Sequence, residues 1–90
     1  MHINPTTTVS FALAEPSLVT LRVYNILGQE VSTLLNRESL DDGEQEVEFD
    51  ASNLPSGLYF YTLSAQTIVD DDEGAPGSIH TAVRKMLLVK

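Results

Sequence analysis

The side chains equipped for chemistry in this 90-residue chain fall into a few short groups. The densest is Asp70, Asp71, Asp72 and Glu73, followed by Gly74. Hard carboxylate oxygens suit Ca²⁺, but a calcium loop of the EF-hand type needs its acids at alternate positions, and three consecutive Asp residues do not supply that order. An exposed acidic loop is the simpler reading, with calcium as its alternative. His2 and His80 lie far apart with no cysteine near either, so they do not make a zinc site. No Ser sits in a nucleophile elbow, and no glycine-rich loop is arranged to cradle phosphate. These absences argue for a chain that is not an enzyme and carries no cofactor. A different kind of chemistry is offered by Lys85-Met86-Leu87-Leu88-Val89-Lys90, in which two lysines flank an apolar quartet. A receptor could add this strand to its own sheet, bond its backbone and set carboxylates against the lysines. The same residues also admit a plainer role, as core with lysines that protect a sheet edge.

Charge narrows the partners. The chain carries 13 acidic and 5 basic residues, for a net charge of −8. Such a surface repels phosphate backbones and anionic lipid, so nucleic acid is not an expected partner. Three of the cations, Arg84, Lys85 and Lys90, fall within the last seven positions. There is no cysteine, hence no disulfide framework. No apolar run reaches the roughly 20 residues of a membrane span. No signal peptide opens the chain, which places any export signal on a longer parent.

The elements that must position these groups read as strands. Val9, Phe11 and Leu13 alternate with smaller or polar residues, as do Val19, Leu21 and Val23, and Val47 and Phe49, while Tyr59, Tyr61 and Leu63 alternate with Phe60 and Thr62. A period of two marks one buried face per strand. Ala82 to Val89 is apolar on both parities apart from Arg84 and Lys85, which predicts a strand covered on both sides at its end. Gln29 to Leu35 reads as a strand entered through Asn25-Ile26-Leu27-Gly28, with Gly28 free to take positive φ. Asp41-Asp42-Gly43 reads as a hairpin-type turn before Glu44 to Asp50. Thr33 to Leu40 is the nearest approach to a helix and carries no sustained apolar stripe. Short strands at this spacing predict an all-β sandwich in a single domain over 1–90. Residues 1–3 read as a linker or cloning remnant, and 67–80 as an acidic hairpin loop. Between two strands, Leu54 can plug the core, Pro55 fixes φ, Gly57 permits a bend, and Tyr59 follows Pro55 by four. That spacing suits a tyrosine corner, in which the phenol bonds back to the corner backbone; a tyrosine that is merely buried is the alternative.

Four segments resemble one family when taken in order. They are Asn4-Pro5-Thr6-Thr7-Thr8, Val23 to Val31, Leu54 to Tyr59, and Lys85 to Lys90. Together they resemble the type A C-terminal sorting domain of the type IX secretion system and the related immunoglobulin-like hook-assembly domains. The resemblance implies an immunoglobulin-like antiparallel sandwich of about seven strands. It implies a signal carried by a larger secreted protein of Bacteroidota, which directs that protein through the periplasm and across the outer membrane to the cell surface. The implied partners are outer-membrane components of the secretion system and, in many members, a sortase-like peptidase that removes the domain. The implied recognition residues are Lys85, Met86, Leu87, Leu88, Val89 and Lys90. The long hairpin at 67–80 and Ile3, where an aromatic is usual, depart from the family pattern. The residues themselves leave other roles open: a carbohydrate- or calcium-binding module, or a spacer between domains. An exposed edge strand also admits a homodimer.

Overall fold

The computed structural model describes residues 6–68 and 79–89. They form six strands: β1 (Thr6–Leu13), β2 (Ser17–Tyr24), β3 (Glu30–Leu40), β4 (Gly43–Asp50), β5 (Gly57–Thr67) and β6 (Ile79–Leu88). β1 and β4 make a two-stranded sheet, and the others make a four-stranded sheet in the order β3-β2-β5-β6. Every pairing is antiparallel. The two sheets face each other as an all-β sandwich of the immunoglobulin-like kind, with six strands among the described residues.

β2 is the centre of this arrangement because it pairs with β3 on one side and β5 on the other. Its Val19, Leu21 and Val23 are 0 % exposed. Leu18, Thr20, Arg22 and Tyr24 point to the other face and are only half-buried. The alternation in the sequence is thus the alternation of the pleat. Opposite, β4 contributes Phe49, which packs with Val23, Ala51 and Tyr59. Val31, Leu34, Leu54, Tyr61, Met86 and Leu88 close around that cluster. Val9 and Leu13 of β1 are also buried.

Two connections differ from the sequence-based expectation. Asp41-Asp42-Gly43 does not close a hairpin: β3 pairs with β2, whereas β4 pairs with β1. The segment carries the chain from one sheet to the other, with Gly43 at φ 110° and Gln45 Nε2 donating to Asp41 O at 2.9 Å. Turn residues announce a reversal but not which strand the chain meets next. β3 also runs past Leu35 to Leu40. It does so through a bulge at which Arg37 takes φ 52° and its N–H donates to Thr20 Oγ1 at 3.3 Å.

The crossing from β4 to β5 is the tyrosine corner. Asp50 Oδ1 accepts from Ser52 N, and Leu54 N donates to Ala51 O, which folds the chain into a tight turn. The Tyr59 hydroxyl then donates to Pro55 O at 2.7 Å while its ring stays buried. One side chain therefore anchors the core and ties down the backbone that leads into β5. Leu54 plugs the end of the core, as its position in the sequence suggests. Gly57 enters β5 at φ 156°, and a Cβ there would meet open space. Any penalty for a larger residue is backbone strain and not a clash.

Three substitutions test this account. Leu21→Ala should destabilise by about 2–5 kcal/mol in urea unfolding, because it empties a fully buried site. Tyr59→Phe should cost about 0.5–1.5 kcal/mol, the worth of one hydrogen bond, with the sheet content unchanged by circular dichroism. Gly57→Val should cost about 1–3 kcal/mol. An unchanged melting temperature for Gly57→Val would contradict the strain assigned to it.

Candidate functional site

β6 is an edge strand. It pairs with β5 over its whole length, from Gly57↔Leu88 to Gln66↔Ile79. Among the described residues nothing pairs with its other side. Its outer backbone groups therefore face away from the sheet, open to another strand. The pleat divides the predicted recognition residues. Met86 and Leu88 turn inward and pack against the core. Lys85, Leu87 and Val89 turn outward and are exposed, Leu87 by 71 %. The expectation of cover on both sides does not hold, since Val83 is also 56 % exposed. Both parities of β6 are apolar, but only one has a sheet beneath it. Lys90 lies outside the described residues.

The outward row continues across the sheet. Lys85 pairs with Phe60, which pairs with Tyr24. Leu87 pairs with Leu58. Side chains in such register lie about 5 Å apart at Cβ. Lys85 therefore stands beside an aromatic and above an apolar pair. Its stem can lie along apolar surface while its ammonium stays in water.

The connection from β2 to β3 stands at the same end of the sheet, and Asn25 organises it. Asn25 Oδ1 accepts from Leu27 N at 2.9 Å and from Gln29 N at 3.0 Å, and Asn25 Nδ2 donates to Gln29 Oε1 at 2.9 Å. The backbone adds Asn25 N to Gln29 O and Gly28 N to Asn25 O, both at 3.0 Å. Gly28 takes φ 81°, so the positive φ read from the sequence is present. In the sequence this loop reads as a short connection within one of the family-like segments. Its Ile26 and Leu27 are 67 % and 76 % exposed, which periodicity does not reveal. Two adjacent large apolar residues in a polar turn were the available signal.

Among the described residues, one further feature is an open cleft of about 280 Å³ between the end of β1 and the inner faces of β5 and β6. Small side chains line much of it, among them Ala12, Ala65 and Ala82. Among the described residues, two strands do not reach across four there. Ser17 Oγ at its wall already donates to Glu15 O at 2.9 Å. His80 also lines it, as part of β6 and not of a loop. Asp70, Asp71, Asp72 and Glu73, the calcium alternative, lie outside the described residues. Of the segment 67–80, Thr67, Ile79 and His80 are strand residues.

A family model described as "Secretion system C-terminal sorting domain" matches residues 4–70. The match spans three of the four resembling segments, including the Asn25 loop and the tyrosine corner, and ends before β6. No curated protein and no solved structure matches the chain. The match covers most of the chain, and the sandwich agrees with it. The chain belongs to the secretion system C-terminal sorting domain family, so it is a type IX sorting signal carried by a larger protein bound for the cell surface or the exterior.

Proposed function

We propose that β6 is the handle by which outer-membrane components of the type IX system hold the domain, and that the domain itself catalyses nothing. The observation that carries this reading is the split of β6 into an inward row, Met86 and Leu88, and an outward row, Lys85 and Leu87, with exposed Val89 just past its end, along an edge that no other described strand pairs with. Backbone pairing at that edge supplies affinity, and the outward side chains supply selectivity. Carboxylates on the receptor would meet Lys85 and Lys90, the reverse of the charge the rest of the domain presents. Binding of this kind needs no change in the sandwich, because the inward row keeps its core contacts. Where the domain is cut from its cargo, a sortase-like peptidase is the second partner. The 90 residues act as one unit throughout.

The test is a periplasmic reporter fused to the chain in a type IX-competent host. Removing Lys85 to Lys90 should abolish surface display, but it also strips Met86 and Leu88 from the core. The sharper variant changes only outward positions of β6: Lys85→Glu and Leu87→Ser together. Surface display should fall at least tenfold while the melting temperature of the domain stays unchanged. Normal display of this variant would end the handle reading.

A further inference from the structure

The large apolar side chains that this fold leaves in water are not scattered. Eight are exposed among the described residues, and five of them, Ile26, Leu27, Leu58, Leu87 and Val89, stand at one end of the four-stranded sheet. The pairings Tyr24↔Phe60, Leu58↔Leu87 and Gly57↔Leu88 place them there together. Single exposed apolar residues need no explanation, but a group does. The β2–β3 turn is the least expected member. Asn25 holds it with hydrogen bonds from its side chain and its backbone, and Ile26 and Leu27 project from that rigid turn. Rigidity of this sort lowers the ordering cost of binding.

Charge is divided along the same axis. Glu15, Glu38, Asp41 and Asp42 belong to the opposite end, and Glu44, Glu46 and Glu48 line the outer face of the other sheet. At the apolar end Glu30 is paired with Arg22, whose Nε lies 3.5 Å from Glu30 Oε1. Asp50, on the other sheet, accepts from Ser52 N. Lys85 stands in this end with no acidic neighbour in register, facing Phe60. A second copy of the chain would set Lys85 and Arg84 against their own like and bring another eight net negative charges. An anionic membrane would meet the same repulsion from the body of the domain.

We infer that the Ile26-Leu27 turn is a second docking element, a rigid apolar knob that enters an apolar socket rimmed by carboxylates on the secretion component that holds β6. The inference rests on the handle reading and extends it. The β6 edge fixes the direction of the partner strand, and the knob fixes where along the sheet the partner sits. Two separated contacts on one rigid body also discriminate against stray strands that pair with an open edge alone.

The same reporter fusion tests it. Ile26→Ser with Leu27→Ser keeps Asn25, Gln29 and Gly28, so the turn and the melting temperature should be preserved. Surface display should fall at least fivefold. The single variants Leu27→Glu and Leu27→Lys then probe the rim. Both add charge at an exposed site, but carboxylates should reject Glu and tolerate Lys, so display with Leu27→Glu should be several times lower. Full display of the double variant, alongside failure of the outward β6 variant, would remove the knob and leave the handle. Full display of both would remove both. Equal display of Leu27→Glu and Leu27→Lys would overturn the carboxylate rim. Full display with loss of dimerisation, or of binding to phosphatidylglycerol vesicles, would assign the apolar end to a second copy or to lipid and overturn the inference.

Discussion

Among the described residues, the inner face of the four-stranded sheet is shielded by a partner sheet of only two strands, and burial is distributed accordingly. It is complete on β2, at the middle of the sheet, where Val19, Leu21 and Val23 lose all contact with water. It thins toward the edge, where Met86 and Leu88 are covered only in part. The cleft beside Ala12 and Ala82 is the uncovered remainder. A domain of this size has little apolar area to spend, and it concentrates that area where one strand can be shared by two neighbours. The edge strand is left half in the fold and half available.

That division suits a sorting signal. Such a signal must keep its shape on cargo of any kind, yet offer one surface that a receptor can read. The core takes the inward parity of each strand and leaves the outward parity free to vary with recognition. The tyrosine corner secures the passage between sheets with a single phenol, so β5 presents β6 in a fixed register. The Asn25 turn does the same at the far side of the sheet, because one side-chain carbonyl accepts two backbone N–H groups and replaces a longer loop.

The acidic row on β4 follows from the same alternation. Glu44, Glu46 and Glu48 share a parity on β4 and therefore share its outer face. On β5 and β6 the outward parity carries no carboxylate among the described residues. The net charge of −8 repels anionic surfaces from the body of the domain.

Much of this was legible in the order of the residues. Alternation marked the buried rows of β1, β2, β4 and β5, because strand geometry turns a period of two into two faces wherever the strand is placed. The four-residue step from Pro55 to Tyr59 announced the corner, because both partners lie within one local bend. What periodicity does not encode is which strand lies alongside. Asp41-Asp42-Gly43 therefore read as a hairpin although it changes sheets, and Ala82 to Val89 read as doubly covered although one side faces water. The exposure of Ile26 and Leu27 escaped for a related reason, since burial belongs to the packed assembly and not to the residue. The sequence by itself determined the strands, their inward faces and the two local bends, all set by steric and hydrogen-bonding rules within a few residues. The tertiary structure decided which edge stays open and which apolar groups remain in water, because both depend on contacts between segments far apart in the chain.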